Sequence, residues 1–199
     1  MKTKLFTLIT LIAAALTLTA MVSAQAKRVG RNSRLFELVQ AAKEGKARLS
    51  PEIAQQVRDA YAEAKDDEPL SQPSISGTWY CQVTESNMGF PPFQAYHTFD
   101  SDGTFVETSS LLGLGGEGPA HGVYERSRRG YVLTFELFVF DPGTGESVGR
   151  VRVRVAIRMT SSNSFNAQTA VDFIEPDGTV IEDIDGGPFT ARRVQVQGF

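Results

Sequence analysis

From Ile75 onward, apolar and polar residues alternate along the chain, and this alternation limits the fold more than any other feature of the sequence. The longest run covers 148–160, where apolar side chains occupy every second position from Val151 to Met159 and arginines fill most positions between them. Successive side chains of a β-strand point to opposite faces, so this period is typical of a strand with one buried face. We expect the valines to face the core and the arginine heads to stay in water. Arginines that line the interior and select an anionic ligand are the alternative.

Groups of turn-forming residues divide the β region into eight or nine such runs over about 125 residues. The expected connections between runs lie at Asp100–Gly103, Asp141–Gly145, Ser161–Asn163, Pro176–Gly178 and the acidic segment Asp183–Gly187. Short connections without crossover helices favour an antiparallel meander, and closing a meander into a barrel removes its exposed edges. The sequence therefore predicts a mainly β fold, an antiparallel up-and-down β-barrel of about eight strands over 75–199, with a β-sandwich as the alternative.

The segment 25–66, ahead of the β region, has helical spacing. Its apolar residues recur three and four positions apart, beginning with Leu35, Leu38, Val39 and Ala42. Gly45 is a helix stop signal, and Ser50 followed by Pro51 is a start signal. We predict a short two-helix segment, joined to the barrel by a polar, proline-containing linker at 67–74. A strap packed on the barrel is the favoured interpretation, and an arm that docks a partner is the alternative.

The first 24 residues have the three parts of a secretory signal peptide. Lys2 and Lys4 form a basic start, an apolar run follows to Ala20, and the small residues Val22 and Ala24 precede a cleavage point. The apolar run is short for a membrane-spanning helix, which needs about 20 apolar residues. We therefore expect cleavage after Ala24, a periplasmic or secreted protein, and no stable membrane insertion after cleavage.

Charge and cysteine content exclude some classes of function. The formal net charge is -3 for the whole chain, so a basic surface for nucleic acid is not expected. Cys81 is the single cysteine, so the chain cannot form an internal disulfide. We interpret Cys81 as a buried apolar residue.

Gly77 and Trp79 form a Gly-x-Trp at the first strand, and Arg192 and Arg193 lie in the last strand. This pattern at the start and the end of the β region resembles that of the lipocalins or the wider calycin superfamily. In that superfamily an arginine of the last strand packs across the tryptophan ring and closes one end of the barrel. The resemblance implies this structural role for Gly77, Trp79 and Arg192, although the family's usual disulfide and its helix after the strands are missing here. The Asp-Gly turns and the Gly-rich 113–122 segment also resemble, more loosely, those of bacterial barrels similar to allene oxide cyclase.

Candidate ligand-binding residues come from the aromatic side chains of the β region and from the two histidines. Phe135, Phe138 and Phe140 are expected to fill the barrel or to line a pocket for an apolar ligand. His97 and His121 are the titratable candidates near neutral pH. No pattern of catalytic residues emerges, so the catalytic residues remain unassigned. Neither a metal site nor a cofactor is expected from the residue spacing.

These features lead to three hypotheses for function. The first is an exported lipocalin-like barrel that carries a small apolar molecule in its interior, with the 113–122 loop as a gate. The second is a small barrel enzyme of cyclase or isomerase type, in which His97, Glu107 or His121 converge inside the barrel. The third is a filled barrel that acts as a protein-interaction module through its helices, with the partner unknown. The sequence favours a binding protein over an enzyme.

Overall fold

The computed structural model describes residues 34–66, 72–84, 92–110 and 118–196. These residues contain two helices followed by eight strands. The helices are α1 Arg34–Lys43 and α2 Pro51–Asp66. The strands are β1 Gly77–Val83, β2 Phe93–Phe99, β3 Thr104–Ser109, β4 Ala120–Ser127, β5 Gly130–Phe140, β6 Ser147–Ser161, β7 Ser164–Ile174 and β8 Val180–Arg193.

The strands form a closed barrel in chain order, in which each strand pairs antiparallel with the next. β8 then pairs antiparallel with β1, with Cys81 opposite Ala191 and Val83 opposite Phe189. Closure gives every strand two neighbours, so no strand remains an unpaired edge. The predicted mainly β fold, an up-and-down barrel of eight strands preceded by two helices, is confirmed, and the β-sandwich alternative is wrong.

Both helices begin or end at the residues that the sequence indicates. Gly45 adopts a left-handed φ of 72° just after α1, and the amide of Lys46 donates to the carbonyl of Ala41 at 2.8 Å. At the start of α2, the Oγ of Ser50 accepts a hydrogen bond from the amide of Ile53 at 3.3 Å. Among the described residues, neither helix is both long enough and apolar enough to cross a bilayer.

The helices pack on the barrel with their apolar sides. Leu38 and Val39 of α1 belong to the same buried cluster as the barrel interior. Val57 of α2 packs with Leu49 and Ala170 in a second cluster outside the barrel. The expected signal peptide lies outside the described residues, as does 67–71 of the expected linker.

One end of the barrel is filled by aromatic side chains. The Trp79 ring lies 4.8 Å from the ring of Phe165, and Phe99 lies 5.0 Å from Phe105, measured between centroids. All four side chains are almost fully buried. The Nε1 of Trp79 donates to the carbonyl of Ile75 at 2.7 Å, so the segment before β1 closes over this end.

The arginine that covers Trp79 is Arg193, whose guanidinium lies 4.3 Å from the ring centroid. It also donates to the carbonyls of Ser76 at 2.5 Å and Ser74 at 2.6 Å. The assignment of this role to Arg192 is therefore wrong by one residue. Arg192 is opposite Tyr80 in the β1–β8 register and stands 5.0 Å from that ring on the outer surface. Adjacent residues of a strand face opposite sides, so only one of the two arginines can reach Trp79.

β8 runs unbroken through the acidic segment that was expected to be a connection. Asp183 has a positive φ of 53°, and its amide donates to the Oδ1 of Asp172 at 3.0 Å. The pairing with β7 shifts here, because Val171 is opposite Asp185 whereas Phe173 is opposite Ile181. A bulge of this kind leaves extra residues on one strand and lets pairing continue. The two runs on either side of 183–187 are therefore one bulged strand.

The arginines of β6 face outward, as the alternation predicts. Glu136 of β5 pairs with Arg150 at 2.8 Å and with Arg152 at 3.0 Å. Arg154 pairs with both Asp172 and Asp183 at 2.7 Å. The alternative, in which these arginines line the interior, is wrong.

Candidate functional site

A cavity of about 130 Å³ occupies the part of the barrel away from the aromatic end. It lies where β1, β3, β5 and β7 end and where the other four strands begin. Most of its lining is apolar and includes Phe93, Phe135, Leu137, Val151, Val153 and Phe189. Leu35 and Leu38 of α1 also line the cavity. Residues 113–117 of the predicted gate loop lie outside the described residues. Gly118 of the same loop lines the cavity, and residues 120–122 belong to β4.

Strand alternation positions the lining residues. Phe135 and Leu137 have the same phase on β5, and they face Val153 and Val151 across the β5–β6 pair. On β8, Asp185 and Phe189 are four positions apart, so they have the same phase and both line the cavity. The strand residues of the lining therefore follow from the period of their strands.

His97 is the most unusual residue of the cavity. It is opposite Trp79 on one side and opposite Glu107 on the other, and only 5% of its surface is exposed. The imidazole makes edge contacts with the rings of Phe105 at 5.1 Å and Phe189 at 5.5 Å. Burial in this apolar surrounding lowers the pKa of His97 from 6.5 to about 3. His97 is therefore neutral at every physiological pH.

The two nitrogens of His97 have different surroundings. Nε2 lies 3.9 Å from the Oε2 of Glu107, which is beyond hydrogen-bond distance. Nδ1 is buried and has no hydrogen-bond partner among the described residues. A neutral imidazole carries one proton, and a carboxylate favours an N–H that points toward it. We therefore assign the proton to Nε2.

Other polar side chains reach the cavity from three strands. Ser109 of β3 and Asp185 of β8 line it, and both are buried. Thr169 of β7 donates its hydroxyl to the carbonyl of Gly187 at 2.9 Å and accepts from the amide of Gly187 at 3.0 Å. Thr169 is thus committed to the β7–β8 pair. Among the described lining residues there are two carboxyl groups, of Glu107 and Asp185, and there is no lysine or arginine.

Cys81 lies in the barrel interior and is fully buried, as the sequence predicts. Burial, with a smaller contribution from the charge of Glu107, raises the pKa of its thiol well above the usual range. A thiol is a far weaker nucleophile than a thiolate. Cys81 is therefore suited to packing rather than to nucleophilic chemistry.

The structure brings together two of the five predicted ligand-binding residues, Phe135 and His97. Phe138 is 57% exposed, because it stands three positions from Phe135 and so faces the other side of β5. Phe140 is out of phase with Phe135 in the same way and is only half buried. His121 is exposed, opposite the outward-facing Glu136. The interior positions predicted for these three residues are therefore corrected.

Several residues that line the cavity were not predicted from the sequence. Ser109 has the phase of Phe105 and Glu107, so the alternation of β3 carried the signal for it. Phe189 has the phase of Ala191 in β8, so the alternation of that strand also predicts its inward position. Asp185 has the same phase as Phe189, and it was missed because the segment 183–187 was expected to be a connection rather than part of β8.

No protein-family model, curated protein or solved structure matches this chain. Within the described ranges, no three histidine, cysteine, aspartate or glutamate side chains are grouped as a metal site. The cavity and the residues that line it are therefore the basis on which function is assigned.

Proposed function

We propose that this protein is an exported, lipocalin-like carrier that binds a small, largely apolar molecule inside its barrel. The single observation that supports this proposal is the apolar cavity of about 130 Å³, which lies away from the aromatic end of the barrel. Ligand sites are typically concave and apolar, with a few placed polar groups. This cavity has that composition, since phenylalanines and valines surround one histidine and a few other polar side chains.

The size of the cavity sets the size of the ligand. An apolar cavity of about 150 Å³ holds one benzene molecule. A volume of about 130 Å³ therefore suits a molecule built around one ring, and a long fatty chain is too large for it. The lining also disfavours anions, because its described residues include the carboxyl groups of Glu107 and Asp185 and no lysine or arginine that could pair with an anion.

The aromatic end supports the lipocalin-like part of the proposal. Gly77 and Trp79 begin β1, and Arg193 covers the Trp79 ring, which is the arrangement that the calycin resemblance implies. The export part is supported by the sequence of the first 24 residues. Mass spectrometry of the protein recovered from the periplasm or the medium should find a terminal peptide that begins at Gln25. A terminal peptide that begins at Met1 would contradict export by cleavage.

A binding experiment with toluene tests the carrier proposal. We expect toluene to bind the wild-type protein in a one-to-one ratio, measured by NMR titration of the backbone amides, with shifts centred on the cavity. Val153→Phe should weaken binding by at least tenfold, because the larger side chain fills part of the cavity. Val123→Phe is the matched control, since Val123 is 60% exposed on the outer face of β4. If the backbone amides of the wild-type protein do not shift at a high concentration of toluene, the proposal is contradicted.

A small barrel enzyme is the second candidate, favoured by the convergence of His97 and Glu107 on the cavity. The low pKa of His97 makes its imidazole a weak base, so Glu107 would be the group that moves a proton. A bound molecule recovered chemically unchanged after incubation supports the carrier. Conversion that is lost in Glu107→Gln supports the enzyme. The cavity counts against the third hypothesis, a filled barrel used for protein interaction.

A further inference from the structure

We propose that the ligand of the barrel carries a hydroxyl group that binds between Nε2 of His97 and the carboxylate of Glu107. This inference rests on the proposed function and names the chemical class of the ligand, a compact ring alcohol. It depends on the arrangement of the two side chains at the cavity, which lie directly opposite each other on β2 and β3.

The distance between the two groups suits one shared atom. Nε2 of His97 and Oε2 of Glu107 are 3.9 Å apart, which is too far for a direct hydrogen bond. An oxygen placed at ordinary hydrogen-bond distance from both fits between them. Such an oxygen would give Nε2 a hydrogen-bond partner in a side chain that is only 5% exposed. Buried polar groups of native proteins are nearly always satisfied.

The chemistry of the pair selects a hydroxyl. With its proton on Nε2, His97 donates, whereas the ionised carboxylate of Glu107 only accepts. A hydroxyl both accepts from the imidazole and donates to the carboxylate. A ketone can accept but cannot donate, so its oxygen would face the carboxylate without a proton between them. A carboxylate has about four acceptor sites, so Glu107 can accept from a ligand in addition to its other contacts.

The surroundings exclude a charged partner for His97. The rings of Phe105, Phe135 and Phe189 contact the imidazole. Burial keeps His97 neutral down to about pH 3, so an anionic group gains no charge pairing from it. A neutral alcohol therefore matches the site better than a carboxylic acid of the same size.

The test compares three probes on the protein as the cell processes it: cyclohexanol, cyclohexanone and toluene. Dissociation constants come from NMR titration or calorimetry. In the wild-type protein we expect cyclohexanol to bind at least about tenfold tighter than cyclohexanone, the discrimination typical of one paired hydrogen bond. His97→Leu removes both ring nitrogens at similar volume and should reduce this ratio to about two or less, while toluene still binds. His121→Leu makes the same substitution at an exposed histidine outside the cavity lining; it is the control variant and should keep the ratio.

A second measurement does not depend on the variant folding. In wild-type protein labelled with ¹⁵N histidine, cyclohexanol should shift the Nε2 resonance of His97, and toluene should not. Equal binding of cyclohexanol and cyclohexanone, with toluene bound, would overturn the inference and leave the carrier proposal intact; it would point to a water between the two side chains. Failure of all three probes to bind would overturn the carrier proposal itself.

Discussion

Replacing His97 by leucine should change how stability depends on pH. His97 titrates near 6.5 in the unfolded chain and near 3 in the folded protein, so the unfolded chain binds the extra proton first as the pH falls. A depressed histidine pKa therefore destabilises the fold below about pH 6.5. Each pH unit between 6.5 and 3 costs about 1.4 kcal/mol, so lowering the pH from 7 to 5 costs about 2 kcal/mol through this residue. The His97→Leu variant has no imidazole at this position, so it does not incur this loss of stability at low pH.

Urea unfolding at pH 7 and at pH 5 gives the loss of unfolding free energy for each protein. Subtracting the loss of His97→Leu from that of the wild-type protein removes the effect of the carboxyl groups that both proteins share. The free energy of unfolding of the wild-type protein should fall by about 2 kcal/mol more than that of His97→Leu over this range. His121→Leu is the matched control, because His121 is exposed on β4, and its drop should equal that of the wild-type protein. An equal drop in the wild-type protein and His97→Leu would refute the burial of a neutral imidazole.

Three further predictions concern stability and reactivity. Arg193→Ala should lower the free energy of unfolding by about 2–3 kcal/mol, because it removes the cover of Trp79 and three charged hydrogen bonds to backbone carbonyls. Arg192→Ala should cost less than about 1 kcal/mol in the same urea assay. Tyr61→Phe should cost about 1–3 kcal/mol by thermal unfolding, since the hydroxyl of Tyr61 binds the carbonyl of Leu133 and the amide of Val155 in the barrel wall. Cys81 should react with a thiol reagent only after unfolding, and rapid reaction of the native protein would show that its burial is wrong.

The barrel was predictable from the sequence because its strands have a single buried face. Val151, Val153 and Val155 alternate with arginines, and this pattern leaves one way to bury the apolar side. The helix ends were equally readable, since Gly45 and Ser50 act through local backbone geometry that needs no tertiary contact. The signals of these elements lie within a few residues of one another along the chain.

The errors concern features that depend on distant residues or on a single-residue phase. The choice between Arg192 and Arg193 follows from the β1–β8 register, which pairs the first strand of the barrel with the last. The continuity of β8 depends on the side chain of Asp172, which binds the amide of Asp183 from the neighbouring strand. No local pattern in 183–187 contains that information.

The candidate site was only partly predictable, for a related reason. The pattern places Phe135 and His97 on buried faces, and the structure brings them to one cavity. Whether inward side chains fill a barrel or leave a space depends on the difference between the barrel volume and the summed side-chain volumes. In this barrel Trp79, Phe99 and Phe165 fill one end, and smaller valines leave space at the other.

A crystal of this protein pressurised with xenon shows whether the barrel contains an apolar cavity. Xenon binds dry apolar cavities of this size and is located by its anomalous scattering. We expect one strong anomalous peak inside the barrel, between Phe135, Val153 and Phe189. A barrel interior without such a peak, with side chains occupying the space, would contradict the cavity and the ligand-binding function that depends on it.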